Sequence, residues 1–276
     1  MKLKNRRISV LNTIILVFLM VATSMPLYVM LVGTFKPNIA LISNPVDLNP
    51  FKNLSFVNFI KALTDSDIFL WMRNSLIISL SVALLTAVIG VMAGYPFARM
   101  KFRGKNILFT LVMATMMMPK QVLLIPNFLV ANKLGLVNTI IGVILTTLAP
   151  AYSVFLAKQS ISSLPSELFD AAEVDGCSEP GKFFRIALPL SLPSMGTAAI
   201  FAFFSTFNDY VWQLIMITEP KLRTLPIGVS TLASLYVNNK GIQLAGSLIA
   251  SIPLIIIFLL AQKVFIKGST DGALKG

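Results

Sequence analysis

Long uncharged stretches alternate with short charged segments along the whole chain. Five stretches exceed the length of about 20 apolar residues that a helix needs to cross a bilayer. The charged residues that bound them are Arg7 and Lys36, Arg73 and Arg99, Lys133 and Lys158, Arg185 and Asp209, and Lys240 and Lys263. A sixth stretch, residues 106–132, is interrupted by Lys120. The pattern predicts an all-α integral membrane protein with six transmembrane helices.

The first apolar stretch is predicted to remain in the protein as a membrane anchor. Its basic start and apolar centre are typical of a cleaved signal peptide. The apolar sequence continues to Phe35, however, well beyond the roughly 7–15 residues of a secretory apolar region. An extracytoplasmic loop should follow the anchor, with one short amphipathic helix near residues 56–63.

The positive charges predict the orientation in the membrane. Cytoplasmic segments carry an excess of Lys and Arg close to the span ends. The densest group comprises Arg99, Lys101, Arg103 and Lys105. Placing this group in the cytoplasm puts both termini there as well. The formal net charge of +12 is then explained by Lys and Arg at the ends of the spans, next to membrane lipid. We therefore expect no nucleic-acid partner.

Composition narrows the possible chemistry. Hydrophobic residues make up 56% of the 276 residues and charged ones only 12%, which is too apolar for a soluble domain of this length. The chain has no histidine, so histidine-based metal sites, catalytic triads and proton relays are excluded. Its one cysteine is Cys177, so no internal disulfide forms. We expect no catalytic residue, no metal site and no enzymatic activity.

One segment on the predicted cytoplasmic side is unusually acidic. Five of the chain's eleven acids fall between Glu167 and Glu179. Pro165 is suited to the first position of a helix and Gly176 to the position after its end. Helical spacing places Ala171 and Ala172 with Leu168 on one face, and Phe169 with Asp170 and Glu173 towards the other. Paired alanines would let the backbone of another protein approach, whereas the alternative interpretation is a solvated loop between two spans.

A second short helix is predicted after the acidic segment, over residues 180–187, with Ser178 as its cap. The intervening residues 176–182 have the spacing of a phosphate-binding P-loop. The next residue is Phe183, where that motif needs Ser or Thr, and Pro180 lacks a backbone donor. No strand is predicted before it. We therefore interpret the match as accidental and expect no ATP hydrolysis by this chain alone.

Polar residues inside the apolar stretches are candidates for a solute path. Pro119 and Pro126 interrupt the third span, and a broken helix is tolerated at membrane depth only where it faces protein or water. Lys120 either marks such a path or extends to the interface at an ordinary span end. Asp209 likewise either serves the path or is a solvated structural residue beside Trp212. The side chains that could hydrogen-bond a solute are Gln121, Asn127, Asn208 and Asp209.

The acidic segment resembles the signature of a known family. Asp170-Ala171-Ala172, then Asp175-Gly176, then Ile186, Leu188 and Pro189 resemble the EAA motif of ATP-binding-cassette (ABC) importer permeases. In that family the motif forms short coupling helices that dock into a cleft on the ATPase subunit. The family usually has Glu where this chain has Asp170, and the shorter carboxylate reaches less far. The resemblance implies that the coupling residues are Glu167, Asp170, Ala171, Ala172, Asp175 and Gly176.

Other segments are similar to the carbohydrate branch of that family. They are Arg73-Asn74-Ser75, residues 93–104, Ile125-Pro126 with residues 134–139, Asn208-Asp209-Tyr210, residues 224–228 and the tail 260–276. The tail resembles the smaller permease subunit of maltose-type systems. The resemblance implies the type I importer permease fold. It also implies an anchor and extracytoplasmic loop over 1–72, a permease domain over 73–266 with its coupling loop at 158–188, and a cytoplasmic tail over 267–276.

The resemblance also implies an assembly in the plasma (inner) membrane of a prokaryote. The expected partners are a second homologous permease, an ABC ATPase dimer and an extracytoplasmic solute-binding protein. ATP and Mg would be bound by the ATPase, so this chain would hold no cofactor of its own. Two alternatives remain open: a secondary transporter driven by an ion gradient, and a membrane-embedded transferase.

Overall fold

The computed structural model describes residues 2–43 and 45–273, and all regular structure within them is helical. The prediction of an all-α protein is confirmed. The α-helices are α1 (Lys2–Thr34), α2 (Asn38–Ile42), α3 (Val57–Thr64), α4 (Ile68–Arg99), α5 (Lys105–Met116), α6 (Leu124–Lys133), α7 (Ile140–Thr147), α8 (Ala151–Ser162), α9 (Glu167–Val174), α10 (Glu179–Lys182), α11 (Leu188–Leu190), α12 (Leu192–Phe207), α13 (Val211–Met216), α14 (Leu225–Leu235) and α15 (Lys240–Ala273). Shorter turns are 3-10 helices at Lys120–Leu123 and Pro220–Leu222 and a π-helical turn at Phe183–Ala187.

Helices of sufficient length and apolarity account for six possible spans. Three are continuous: Val10–Thr34, Ile68–Arg99 and Lys240–Gln262. In three bent helix pairs, the two helices qualify only when they are counted together, because each helix alone is too short to span a membrane. The third span bends by 93° before Lys120, the fourth by 51° between α7 and α8, and the fifth by 68° before α12. Counting each bent pair as one span gives the predicted number.

The structure breaks more spans than the sequence predicted. We expected an interruption only in the third span, yet the fourth and fifth are bent as well. Pro150 immediately precedes α8 at the fourth bend, and Pro189 and Pro193 flank the fifth. Proline lacks a backbone donor, and its ring clashes with the preceding helical turn. A further break follows at the end of the uncharged stretch of the fifth span, because α12 ends at Phe207 and α13 begins at Val211.

The chain forms two compact units. One comprises Met1–Phe69 with Gly228–Pro253, and the other comprises Leu70–Ile227 with Leu254–Gly276. Each unit has its own internal contacts, and the acidic segment and all candidate path residues belong to the second.

In the first unit, the segment after α1 folds around a buried lysine. The ammonium of Lys36 donates to the carbonyl oxygen of Asn49 at 2.5 Å and to that of Lys52. Its nitrogen also lies 3.7 Å from the carboxylate of Asp47. The backbone N–H of Asn49 and the Lys36 ammonium hold the pKa of Asp47 below its usual value. The short helix that we expected near residues 56–63 is present as α3.

In the second unit, two apolar clusters share α4. One cluster is built on Ile78, Val82, Ala131, Val143, Trp212, Met216, Ile217 and Ile227. The other is built on Val91, Tyr95, Ala157, Ile161, Phe169 and Ala187. Because α4 supplies Ile78 and Val82 to the first and Val91 and Tyr95 to the second, it packs against protein along most of its length.

Close contact between α4 and α8 leads to a first testable prediction. A Cβ atom on Gly90 would lie 1.8 Å from the hydroxyl oxygen of Ser153 and 2.9 Å from its backbone carbon. Overpacking of this kind costs about 1–3 kcal/mol. We therefore expect Gly90→Ala to lower the Tm of the purified protein by about 5 °C. Met92→Ala, at an exposed position of the same helix, is the control, and an unchanged Tm for Gly90→Ala would contradict the close crossing.

Candidate functional site

The acidic segment folds into α9, a helix of two turns with a defined end. It begins at Glu167, two residues later than Pro165 at its first position would predict. Glu167 and Asp170 lie in the first turn, where carboxylates interact favourably with the helix dipole. Gly176 has φ of +72° and follows the end of the helix, as predicted. The N–H groups of Gly176 and Cys177 donate to the carbonyls of Glu173 and Ala172 at 3.0 and 2.8 Å, which closes a Schellman motif.

The side of α9 that faces the protein is centred on Phe169. Its ring is only 7% exposed and lies 6.5 Å from the ring of Tyr95, centroid to centroid. The guanidinium carbon of Arg99 lies 4.3 Å from the Phe169 ring centroid, within cation–π range. Helical spacing grouped Phe169 with Asp170 and Glu173, but only Phe169 is buried, whereas the other two residues are exposed. The large aromatic side chain takes the buried position because it removes the most apolar surface from water.

The opposite side of α9 forms an exposed surface of mixed chemistry. Val174 is 89% exposed and Leu168 is 43% exposed. The two alanines are divided, since Ala171 is exposed and Ala172 is half-buried towards the protein. We call the exposed set the docking surface, after the role that the family resemblance implies for it, and define it as Glu167, Leu168, Asp170, Ala171, Val174 and Asp175. It combines three carboxylates with three apolar side chains.

An ion-pair network around a buried lysine and two exposed carboxylates holds the second short helix against α9. Ser178 caps α10 as predicted, and its hydroxyl accepts from the N–H of Gly181. The ammonium of Lys182 lies 2.9 Å from the carboxylate of Glu173 and 3.0 Å from that of Glu179. Because Lys182 is 94% buried, these two partners are what makes its charge tolerable there. Tyr95 donates from its hydroxyl to the other oxygen of Glu179 at 2.9 Å.

Arg99, at the last position of α4, connects that helix to the whole segment. Its terminal nitrogen Nη2 donates to the carbonyl oxygens of Ile161 and Leu164 at 2.8 and 2.5 Å. These carbonyls lie at the end of α8 and just after it, where helical partners are missing. The same guanidinium covers the Phe169 ring. One side chain thus joins the end of α4, the end of α8 and the buried side of α9.

Sequence reasoning did not identify Tyr95, Arg99 and Lys182 as parts of this site. Tyr95 and Arg99 belong to the 93–104 segment that resembles the carbohydrate branch. The resemblance drew attention to that segment but predicted no role for either residue. Glu179 and Lys182 are three residues apart, a spacing at which opposite charges pair on a helix. That spacing was the one local signal that could have revealed the network.

Three of the four candidate path residues lie next to breaks between helices, and the fourth, Asn127, lies within α6. Gln121 is exposed in the 3-10 turn after Pro119, and Asn127 is exposed on α6. Asn208 donates from its amide to the carbonyl of Phe204 at 2.9 Å, and a carboxylate oxygen of Asp209 accepts from the N–H of Trp212 at 3.2 Å. Asn208 therefore completes hydrogen bonding at the end of α12, and Asp209 does so at the start of α13. A role in solute passage stays a prediction for all four.

The side chain of Lys120 contacts the C-terminal end of α12. Its ammonium is 3.4 Å from the hydroxyl oxygen of Ser205, on α12. No ion pair involves Lys120 within the described part of the chain. That part also contains no cluster of His, Cys, Asp or Glu that could hold a metal ion.

At the opposite end of α4, two polar side chains hold the loop between α13 and α14, which the Lys and Arg distribution predicts to be extracytoplasmic and which we call the outer loop. The amide of Asn74 donates to the carbonyl oxygens of Lys221 and Arg223, each at 3.0 Å. The hydroxyl of Ser75 accepts from the N–H of Leu225 at 2.8 Å. Asn74 and Ser75 are both 98% buried. The Arg73-Asn74-Ser75 segment, which the sequence offered only as a resemblance, therefore anchors the loop that contains Pro220–Leu222.

Fold and site together define a multi-pass helical membrane protein with a short exposed helix beside its spans. Residues 86–269 match the family described as "Binding-protein-dependent transport system inner membrane component", and the chain belongs to this family. It is thus a permease component of a binding-protein-dependent importer, as the resemblance implied.

Individual relatives match almost the whole chain. It is 38% identical to the arabinooligosaccharides transport system permease protein AraQ of Halalkalibacterium halodurans, over 98% of this chain and 97% of the relative. Identity to the AraQ protein of Bacillus subtilis is 39%, over 91% and 90%. The fold is similar to the crystal structure of a bacterial ABC transporter involved in the import of the acidic polysaccharide alginate. That likeness has a TM-score of 0.84 at 19% identity and covers 94% of this chain and 97% of the other, which confirms the fold alone.

Proposed function

We propose that this chain is one of two homologous permease subunits of an oligosaccharide importer that is driven by a separate ABC ATPase. Relatives that match nearly the full length are named as arabinooligosaccharide permeases, which supports a carbohydrate solute. The family supports delivery of that solute by an extracytoplasmic binding protein. ATP and Mg belong to the ATPase in this proposal, and this chain supplies no cofactor site and no catalytic group.

The observation that carries the proposal is the docking surface on an anchored helix. The exposed carboxylates of Glu167, Asp170 and Asp175 would pair with basic side chains of the ATPase, and Leu168 and Val174 would supply apolar contact. The buried side of α9 is fixed by Phe169. A helix fixed on one side and exposed on the other is suited to pass a rigid-body movement of its partner to the spans. Charge complementarity would fix the choice and register of the partner.

The proposal includes an orientation and domain limits. Both termini and the coupling loop, residues 158–188, would lie in the cytoplasm of a prokaryote, as the distribution of Lys and Arg predicts. Residues 1–72 would form the anchor and extracytoplasmic loop, 73–266 the permease domain and 267–276 the tail. Family membership favours this importer over an ion-gradient-driven transporter or a membrane transferase.

Reconstitution tests the proposal. The chain would be co-expressed with its partner permease, ATPase and binding protein and placed in proteoliposomes with radiolabelled arabinotriose. We expect uptake that requires ATP and every one of the four components. Uptake that an imposed proton or sodium gradient drives without the ATPase would contradict the proposal, as would transfer of the sugar to lipid.

A further inference from the structure

Two groups of contacts lie at opposite ends of the same helix, α4. At one end, Asn74 holds the outer loop through the carbonyls of Lys221 and Arg223. At the other end, Arg99 holds the end of α8 and the ring of Phe169 on α9. We call these the outer clip and the inner clip. Asn74 and Arg99 are 25 positions apart in the sequence, which corresponds to about 38 Å of helix and is more than the hydrocarbon thickness of a bilayer.

We propose that α4 mechanically connects the outer loop to the docking surface, with Asn74 and Arg99 as its positioning residues. The inference rests on the proposed function, because it assumes that an ATPase binds the docking surface. It adds a route by which events at the outer loop reach that ATPase. Neither side chain belongs to the docking surface or to the candidate solute path.

The first support is that α4 is continuous and well packed. It runs without a break from Ile68 to Arg99, and 44% of its most apolar window is buried within the protein, against 0% for Val10–Thr34. The third, fourth and fifth spans are each bent at a break. A movement applied to one end of a continuous helix reaches the other end as a displacement, whereas a bent pair of helices absorbs part of it at the bend.

The second support is the chemistry of the inner clip. Arg99 makes two charge-assisted hydrogen bonds to backbone carbonyls, which are stronger than neutral ones, and its planar group also covers Phe169. Tyr95, one turn earlier, contacts the same ring and donates to Glu179. The end of α4 therefore contacts both α9 and α10 through the side chains of Arg99 and Tyr95. The outer clip is equally specific, because both amide hydrogens of Asn74 are used.

Binding energies at two coupled sites influence each other reciprocally. The connection can therefore be tested without a solute, by adding nucleotide to the ATPase and measuring the effect on the outer loop. In the transporter assembled with cysteine-free partner subunits, this chain would carry Cys177→Ser and Lys221→Cys, so that the one thiol lies at an exposed position of the outer loop. Its rate of labelling by a membrane-impermeant maleimide would be measured with and without AMP-PNP and Mg. Coupling of ordinary strength predicts a change of about fivefold or more.

Arg99→Met should remove this nucleotide dependence while the ATPase still co-purifies, because the docking surface is chemically unchanged. We expect the labelling ratio to fall below about twofold. Arg99→Lys, which keeps a charged donor but loses the planar fork, should give an intermediate ratio. Arg103→Met, at an exposed basic position in the same segment, is the matched control and should keep the full ratio.

The outer clip supplies a second, independent readout. Asn74→Ala should also reduce the labelling ratio. Combining it with Arg99→Met should cause no further loss, because either substitution alone already breaks the connection through α4. Effects of two separate structural defects would multiply instead. A full labelling ratio in Arg99→Met with the ATPase bound would overturn this inference and leave the proposed function intact. So would loss of the ATPase from both Arg99 variants, whereas failure of the parent complex to hold an ATPase would refute the proposed function itself.

Discussion

Asp170→Lys should release the ATPase from the purified complex and abolish ATP-driven uptake, while the spans still insert. The Asp170 side chain is exposed in the first turn of α9. A lysine there would face the positive end of the helix dipole, which costs about 0.3–1 kcal/mol, and would meet the basic partner groups as a like charge, which costs several kcal/mol. Even a loss of about 2.8 kcal/mol raises Kd about 100-fold. The measurements are the amount of ATPase that co-purifies and the initial rate of uptake.

Two further variants separate the position of the charge from its sign. Glu219→Lys makes the same change in net charge at an exposed acid in the outer loop and should leave ATPase binding unchanged. Asp170→Glu restores the residue that the family usually carries and should bind the ATPase at least as tightly. If the Asp170→Lys protein still holds the ATPase and drives normal uptake, α9 is not the docking element.

The local sequence was sufficient for much of the coupling segment because short-range rules decide it. Gly176 ends α9 at the predicted position, since a positive φ is needed there and glycine supplies it without strain. Ser178 caps α10 for a similarly local reason. The start of α9 was predicted two residues too early, because Pro165 is compatible with a helical first position but does not require it.

The buried side of α9 depended on information that lies far away in the sequence. Helical spacing alone placed Phe169 beside Asp170 and Glu173, and two turns of helix do not define a single apolar face. The partners of the ring are Tyr95 and Arg99, about 70 residues earlier. Only the packing of α4 against α8 brings them there. The same applies to Asn74, whose acceptors lie 147 and 149 residues along the chain.

The bends in the spans are a third feature that the sequence did not predict. The lengths of the uncharged stretches predicted six spans, but they carry no information on whether a span is one continuous helix. Proline indicates where a helix is weakened, and Pro150 does lie at a bend. Pro96, however, lies inside the continuous helix α4. Neighbouring helices decide whether a weakened turn breaks, so proline alone did not predict which spans bend.

Phe169→Ala should have the second large effect, and for a different physical reason. Removing a buried Phe side chain costs about 3–5 kcal/mol, and here it also removes the ring that Arg99 covers. A helix of eight residues is not stable in water on its own, so α9 should lose its fixed position although its docking surface keeps every charge. We expect uptake to fall at least about tenfold, because more than about 1.4 kcal/mol of positioning energy is lost.

Amide hydrogen exchange distinguishes this loss of position from the loss of charge in Asp170→Lys. Exchange at residues 167–174 should accelerate in Phe169→Ala, because the helix opens locally more often, but should stay close to that of the unmodified protein in Asp170→Lys. Phe51→Ala, at a phenylalanine that is 92% exposed, controls for the substitution itself, and Phe169→Leu should recover part of the uptake. Unchanged exchange in Phe169→Ala would show that α9 is held by its ion pairs through Lys182 and not by the aromatic anchor. In that case the Glu173–Lys182–Glu179 network, and not Phe169, would hold α9 in the position that coupling requires.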